Sequence, residues 1–264
     1  FERLCRVMLE KGFTRTDAVV AVGGGVVGDL AGFAAASYMR GIDFYNIPTT
    51  FLSQVDSSIG GKTAINLEGV KNIIGAFYQP KKVLIDPEVL RTLPQRQLSS
   101  GLAESVKMAA TFDKELFETI EHSDIEENLD TVIEKSLAIK KYVVEHDEKE
   151  TGLRRVLNFG HTIGHGIESC EGLHGLYHGE CVALGMLPMC SDTVRERLIG
   201  IYEKIGLPTA LDFDPERVFE AVTHDKKLDG SLIHLVFVPE IGTYEMKKMS
   251  LSDFHTMIKE AFSS

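Results

Sequence analysis

The apolar residues of this chain follow two different patterns. In the first third, short β-prone runs at 17–22, 44–47 and 83–86 alternate with glycine-rich turns and a helical stretch at 30–37. From Leu98 onward, longer helical patterns replace them. The change predicts an α/β part followed by a mainly α-helical part, with a boundary near residues 87–97. We place the two domains at 1–92 and 93–264.

The helical part contains one pair of charges in apolar surroundings. Residues 100–110 have the pattern of a helix that carries Glu104 and Lys107 one turn apart, among Leu102, Val106 and Met108. Such a pair is usually a surface ion pair of little consequence, but these neighbours indicate that at least one charge points into a cavity. Further helices are expected at 131–146, at 180–203 with an interruption at the proline of position 188, and at 215–222. A strand at 233–238 and a final helix should follow.

The turn after the first apolar run has the spacing of a dinucleotide-binding fingerprint, with glycines at 23, 25 and 28. Glycines in such a turn let a pyrophosphate reach the N-terminus of the following helix. A tight strand-to-helix turn without a ligand is the alternative, because this motif alone is weak. The interpretation as a nucleotide site makes the first part Rossmann-like.

A second glycine turn, Gly60-Gly61-Lys62-Thr63, presents a lysine and backbone N–H groups that suit an anion. It is not an ATP-binding Walker motif, because Val55 and Asp56 occupy the region where that motif has its first glycine. A solvated lysine on a turn is the alternative. Lys71 and Asn72 follow in another polar, glycine-flanked segment that is predicted to be a loop.

Four polar residues precede and enter a glycine-rich helical stretch. In one continuous helix, Arg154, Asn158, His161 and His165 would be spaced by four, three and four and would share one face. Glycines at 160, 164 and 166 would thin that helix where something approaches closely. The segment His178-Gly-Glu180 adds a further nitrogen or oxygen ligand. Two satisfied histidines are the alternative, but the whole set favours a divalent metal site.

Composition excludes several classes of protein. The 264 residues have a net charge of −11, which argues against a general nucleic-acid-binding surface but leaves a small anionic substrate open. The longest apolar run, 181–190, is far too short to span a membrane. The four cysteines lack a Cys-x-x-Cys pair, so free thiols in a reducing compartment are expected rather than a disulfide frame. With no secretory signal visible, we expect a cytoplasmic protein.

Taken together, these motifs make the chain similar to the 3-dehydroquinate synthases. The resemblance runs from about residue 19 to 246 and depends on seven motifs in order: Gly-Gly-Gly-Val-Val-Gly-Asp, Pro-Thr-Thr, Asp-Ser-Ser-Ile-Gly-Gly-Lys-Thr, Lys-Asn, Gly-Leu-Ala-Glu-Ser-Val-Lys, Asn-Phe-Gly-His-Thr-Ile-Gly-His and His-Gly-Glu. It implies NAD, a zinc or cobalt ion, and the substrate 3-deoxy-arabino-heptulosonate 7-phosphate. The implied reaction is oxidation of a ring hydroxyl, loss of phosphate, return of the hydride, ring opening and aldol closure to 3-dehydroquinate.

The resemblance also implies roles for individual residues. The metal ligands would be Glu104, His161 and His178, with His174 a nearby competitor. The catalytic residues would be Lys107, Arg154, Asn158 and His165, the last as a proton shuttle, although the departing phosphate could itself remove the proton. The substrate would contact Asp56, Lys62, Asn72, Lys140 and one lysine of the pair Lys226 and Lys227, for which we choose Lys227. NAD would lie against Gly25, Val26, Val27, Gly28, Asp29, Thr49, Thr50, Lys62, Lys71, Val89, Leu90, Arg91 and Thr92.

Several alternatives stay open. Members of the family carry about a further half-domain before the position of Phe1, so the front of the nucleotide-binding domain is expected to be missing here. Another sugar-phosphate cyclase, such as 2-deoxy-scyllo-inosose synthase, would use the same cofactors on a different ring. A metal-dependent polyol dehydrogenase would accumulate NADH, and a non-enzymatic remnant would bind metal but not NAD. A homodimer is an expectation from the family alone.

Overall fold

The structure is a computed structural model that describes residues 1–68, 70–171, 175–210, 212–224 and 232–262. The chain forms two compact units. The first comprises residues 1–94 together with 140–149, and the second comprises residues 95–139 and 150–264. The predicted domain division between residues 92 and 93 stays a prediction.

The first unit contains a parallel sheet of three strands, ordered β1-β2-β5, and helices packed on it. Its elements are α1 (Glu2–Glu10), β1 (Ala18–Gly23), α2 (Gly25–Ser37), β2 (Asp43–Pro48), β3 (Lys62–Leu67), β4 (Val70–Phe77), β5 (Lys82–Val83) and the last turns of α5 (Leu129–His146). Strands β1 and β2 pair in parallel from Ala18 with Asp43 to Gly23 with Pro48. The core lies between α1, α2 and the sheet, where Met8, Ala31 and Phe44 are buried.

Two predicted segments of this unit differ in the structure. The expected buried strand at 83–86 is reduced to β5, and Leu84 is half exposed, because Asp86 already caps the short helical turn Pro87–Thr92 by accepting a hydrogen bond from the amide of Glu88. The expected loop around Lys71 and Asn72 is strand β4, which pairs antiparallel with β3. Backbone hydrogen bonds to a neighbouring strand therefore order a segment whose polar composition indicated a loop.

The second unit is mainly helical. Its elements are α3 (Gln95–Phe112), α4 (Lys114–His122), the first turns of α5, α6 (His161–Glu171), α7 (His178–Met186), α8 (Asp192–Ile205), α9 (Pro215–His224), β6 (Leu232–Phe237), β7 (Glu245–Ser250) and α10 (Leu251–Ala261). Helix α3 is buried from Ser99 to Thr111. Strands β6 and β7 form an antiparallel pair. The predicted order, an α/β part followed by a helical part, is confirmed, while β7 was not anticipated.

The predicted continuous helix through Arg154 and His165 is wrong. Leu153–Asn158 is a 3-10 helix, and Phe159, with φ −52° and ψ 124°, leaves the helical conformation before α6 begins at His161. The chain turns at Gly160, whose φ of 78° is left-handed, and a Cβ there would lie 2.4 Å from Cγ of Met186. Gly160 and Gly164 therefore admit the neighbouring helix α7, and Gly166 admits α9 through Val218 and Val222, rather than a ligand.

The long apolar helix expected over 180–203 is interrupted, as predicted, at Pro188. Helix α7 ends at Met186, a 3-10 turn follows at Leu187–Met189, and Ser191 caps α8 by accepting a hydrogen bond from the amide of Val194. Among the helices that the structure describes, none has both the length and the apolar character needed to cross a lipid bilayer.

Candidate active site

A carboxylate and two imidazoles meet inside the second unit. Glu104 lies on α3, His161 is the first residue of α6, and His178 is the first residue of α7. Oε1 of Glu104 is 3.4 Å from Nε2 of His178 and 3.6 Å from Nε2 of His161. One nitrogen or oxygen from each side chain lies within 4.8 Å of the others. The three residues expected to ligate metal are thus brought together by three different helices.

The environment of Glu104 fits a cation. Its side chain is fully buried, and Lys107, itself 1% exposed, donates a hydrogen bond to Oε2. Oε1 accepts no hydrogen bond from any residue in the described part of the chain, although a buried carboxylate oxygen normally has a partner. A carboxylate and two imidazoles are also a donor set that zinc or cobalt accepts. The orphaned oxygen and the donor chemistry together fit a divalent ion.

The charges in this cluster are coupled. Burial alone would raise the pKa of Glu104, but the charges of Lys107 and the imidazoles outweigh it and hold that pKa well below its ordinary range. Burial and the nearby charge of Lys107 lower the pKa of His161 well below its usual value, so this imidazole is neutral. Burial opposes protonation of His178, but the carboxylates of Glu104 and Glu168 beside its ring raise its pKa to about 9. A neutral imidazole is the form that binds a metal.

His165 and Glu168 lie on the other side of His178. The ring centroids of His165 and His178 are 5.8 Å apart, and Nδ1 of His178 lies 3.6 Å from Oε2 of Glu168. His165, Glu168 and His178 form a second group whose ligand atoms lie within 4.8 Å of one another. Sequence reasoning missed Glu168, although its spacing of seven and three from His161 and His165 places it on the same face of α6.

Arg154 and Asn158 lie in the 3-10 helix before α6 and are not part of α6. Arg154 is 2% exposed, and Asn158 donates a hydrogen bond of 2.6 Å to Oε1 of Glu150. Glu150 was not anticipated, and its φ of 60° is rare for a residue other than glycine. The sequence gives no sign of this strain at Glu150, because the φ angle is known only from the backbone structure.

Glu180, which the sequence left open beside His178 as a possible oxygen ligand, is not part of the Glu104, His161 and His178 cluster. It forms two 2.7 Å bonds with Arg96, and it accepts a 2.7 Å hydrogen bond from the amide of Tyr177. Both carboxylate oxygens are therefore already engaged. The expectations for His174 and for the pair Lys226 and Lys227 fall outside the described residues.

In the first unit, the glycine fingerprint forms the turn that was predicted. Strand β1 ends at Gly23, Gly24 is the N-cap, and α2 begins at Gly25. A Cβ on Gly28 would lie 2.9 Å from Nδ2 of Asn46 on β2, so this glycine lets the helix approach the sheet. Val26 and Val27 are exposed on the first turn. The amides of this turn form a helix N-terminus of the kind that receives a pyrophosphate.

Several predicted residues line a small cavity beside this turn. It is lined in part by Gly28, Asp29, Asn46, Ser57, Lys62 and Tyr78. Burial and, second, the negative charge of Asp56 raise the pKa of Asp29 to about 7. Ser57 and Ser58, which were not anticipated, have buried hydroxyl oxygens that lack a hydrogen-bond partner among the described residues. The hydroxyls of Ser57 and Ser58 could therefore bond to a ligand.

Of the remaining predicted residues of the first unit, Lys140 and Asp56 are in direct contact. Lys140 donates a 2.5 Å hydrogen bond to Oδ1 of Asp56, which joins the end of α5 to the segment after β2. Thr50 is hydrogen-bonded to Ser53, and Thr49 follows the end of β2. Lys71 and Asn72 lie on β4, and the predicted NAD contacts Val89, Leu90, Arg91 and Thr92 lie in the turn Pro87–Thr92, where Leu90 is buried.

The comparisons with known families cover residues 1–228. The family described as 3-dehydroquinate synthase N-terminal matches residues 1–100, and the family described as 3-dehydroquinate synthase C-terminal matches residues 101–228. A 3-dehydroquinate synthase from Streptococcus sanguinis is 44% identical over 270 residues, which cover 96% of this chain and 76% of the relative.

Two solved structures have similar folds. A 2-epi-5-epi-valiolone synthase from Streptomyces hygroscopicus, with NAD+ and Zn2+ bound, matches with a TM-score of 0.90 and 27% identity, covering 99% of this chain and 77% of that one. A 2-deoxy-scyllo-inosose synthase complexed with carbaglucose-6-phosphate, NAD+ and Co2+ matches with a TM-score of 0.86 and 27% identity, covering 98% and 78%. Since the sequence matches exceed 40% identity over most of both chains, the chain belongs to the 3-dehydroquinate synthase family.

Proposed function

We propose that this chain converts 3-deoxy-D-arabino-heptulosonate 7-phosphate to 3-dehydroquinate and phosphate, a carbon–oxygen lyase reaction of the shikimate pathway. The similarity to 3-dehydroquinate synthases at 44–45% identity supports this reaction. The single structural observation that carries it is the buried, unpartnered Oε1 of Glu104 between two imidazoles. Three protein ligands with open positions are typical of a catalytic rather than a structural metal site.

Glu104, His161 and His178 would hold the metal, which we take to be zinc or cobalt because the similar structures contain these ions. The turn that starts α2, with Asp29 and the neighbouring threonines, would hold NAD. When bound, the metal would polarise a substrate hydroxyl, and NAD would accept a hydride and return it within each turnover. The net reaction would then leave no NADH.

The chain's own residues would bind and orient the substrate. The guanidinium fork of Arg154 suits a planar carboxylate, and the bond from Asn158 to Glu150 fixes the orientation of that amide. Lys107 would keep Glu104 ionised. His165 lies beside His178 and would move a proton to or from the substrate. Asp56, Lys62, Asn72, Lys140 and Lys227 are proposed substrate contacts.

Three broader expectations accompany the reaction. A homodimer is proposed from the family alone. A cytoplasmic location is proposed from the cysteine pattern and from the class of biosynthetic enzyme to which the relatives belong. Among the alternatives, other sugar-phosphate cyclases share the fold at 27% identity, so product identity has to be measured directly.

The test is to incubate the protein with the heptulosonate phosphate, catalytic NAD and Zn2+ or Co2+, and to follow phosphate and dehydroquinate together. Equal release of both products without lasting NADH is expected. His161→Ala should abolish it, whereas His122→Ala, which changes a largely exposed histidine on α4, should not. Accumulation of NADH, or cyclisation of a different sugar phosphate only, would contradict the proposed function.

A further inference from the structure

Three consecutive residues at the start of α7 contact three residues of α3 that are spaced by four. Glu180 contacts Arg96, Gly179 contacts Ser100, and His178 contacts Glu104. Because residues four apart lie above one another on a helix, positions 96, 100 and 104 form one line along α3. The first turn of α7 therefore lies along this line, and the innermost contact belongs to the proposed metal site.

The outermost contact is a bidentate ion pair between Arg96 and Glu180, which we call a clamp. Nε and Nη2 of Arg96 donate to the two oxygens of Glu180 at 2.7 Å each, and Nη2 also donates to the carbonyl oxygen of Gly175 at 3.2 Å. The guanidinium lies 4.2 Å from the ring centroid of Tyr177. The side chain of Glu180 is only 5% exposed, whereas that of Arg96 is 50% exposed. One arginine thus fixes residues on both sides of His178.

The middle contact brings the backbones of α3 and α7 close together at Ser100 and Gly179. The amide of Gly179 donates a 3.1 Å hydrogen bond to Oγ of Ser100. A Cβ at position 179 would lie 1.7 Å from the carbonyl oxygen of Ser100, so the backbones of α3 and α7 touch here. The bond between Arg96 and Glu180 and the contact at Gly179 together determine where α7 begins.

We propose that Arg96 and Glu180 are positioning residues that set the place of His178 relative to Glu104 and thereby the affinity of the site for its metal. This inference rests on the metal site of the proposed function. His178 is the first residue of α7, so the position of its ring depends on the position of the helix start. Partners beyond the ligands commonly change metal affinity by about 10–100-fold when they are removed.

The same unit contains a matched control. Arg197 donates to both oxygens of Glu121, at 2.8 Å from Nε and through a short bond from Nη2, and its guanidinium lies 4.8 Å from the ring centroid of Phe117. This second clamp has the same chemistry, a bidentate arginine on an aromatic ring. Its residues lie on α4 and α8, which carry none of the three proposed ligands.

The experiment measures zinc affinity by competition with a chromophoric chelator, without NAD or substrate. The variants are Arg96→Gln, Glu180→Gln, the double variant and Arg197→Gln. We expect Arg96→Gln and Glu180→Gln each to weaken zinc binding about 10–100-fold, and the double variant to be no weaker than the singles, because one clamp is lost in all three. Arg197→Gln should leave zinc affinity unchanged. The visible absorption of bound Co2+ should change only in the variants at positions 96 and 180.

Wild-type zinc affinity in Arg96→Gln, or a loss no larger than in Arg197→Gln, would overturn the positioning role while leaving the metal site intact. If the wild-type protein has no zinc site that is lost in His178→Ala, the metal site of the proposed function fails, and this inference fails with it. Should Arg96→Gln not fold, Arg96→Lys keeps the charge but not the fork, and wild-type affinity in that variant would equally overturn the proposal.

Discussion

Lys107 donates a hydrogen bond to Oε2 of Glu104 one turn earlier in α3, and both side chains are almost completely buried. Buried charges are costly unless they are paired, so each of these two side chains depends on the other. The pair also leaves Oε1 of Glu104 facing His161 and His178. This arrangement couples the stability of the second unit to its proposed metal site.

Glu104→Gln is expected to lower the free energy of unfolding by about 3–5 kcal/mol, because it leaves Lys107 buried without its counter-charge. It should also abolish zinc binding, since the anionic ligand is lost. Urea denaturation of the metal-free protein and chelator competition measure the two effects. The double variant Glu104→Gln with Lys107→Met should recover much of the stability but none of the zinc binding. Zinc binding in the double variant would show that Glu104 is not a ligand.

Glu168→Leu is expected to weaken zinc binding about 10–100-fold, because Glu168 lies against Nδ1 of His178 and would orient the ring for the proposed coordination through Nε2. Glu168→Gln keeps an acceptor oxygen and should lose less zinc affinity than Glu168→Leu. Glu196→Gln, an exposed position on α8, is the control. Equal zinc affinity in Glu168→Leu and the control would refute the role of Glu168.

The stability of the cofactor-free protein should depend on Asp29. Its pKa is about 7 in the folded protein against an ordinary value of 3.8, so the folded state holds the proton more tightly than the unfolded state. The contribution of Asp29 to stability is therefore greatest at low pH, declines as the pH rises between these two values, and is level above them.

Melting temperatures measured from about pH 4 to about pH 8 test this sign. The difference between the wild type and Asp29→Asn should shift against the wild type as the pH rises towards 7. Asp56→Asn should narrow the pH range over which this difference changes, because the charge of Asp56 is the second cause of the raised pKa of Asp29. A pH-independent difference between the wild type and Asp29→Asn would contradict the burial of this carboxyl.

Gly160→Ala is expected to lower the free energy of unfolding by about 2–5 kcal/mol, through strain at a left-handed φ and a clash with the neighbouring helix. Its Cβ would lie 2.6 Å from the carbonyl oxygen of Val182. Gly200→Ala on α8 is the matched control, since no atom lies within 4 Å of the new Cβ. The control should stabilise by about 0.5–1 kcal/mol, because alanine favours a helix interior. Urea denaturation measures the free energy of unfolding of both variants. A similar change in the two would contradict the close approach of Gly160 to α7.

The sequence by itself determined the order of the fold and most of the candidate residues. Apolar periodicity is a local property, so it located β1, α2, α3 and the interruption at Pro188. The glycine fingerprint gave the turn at Gly25 because that turn depends on neighbours in the chain. The histidines indicated a divalent metal site because imidazole chemistry is a property of residue type, and the family resemblance then implied which residues are the ligands.

Only the tertiary structure decided which of these residues meet. The proposed ligand set takes Glu104, His161 and His178 from three helices. Glu180, two residues from His178, instead pairs with Arg96, which is distant in sequence. The helix through Arg154 and His165 is broken at Gly160 because α7 packs there, a contact that local spacing does not contain. Periodicity specifies which face a residue occupies, whereas packing between distant segments decides what that face touches.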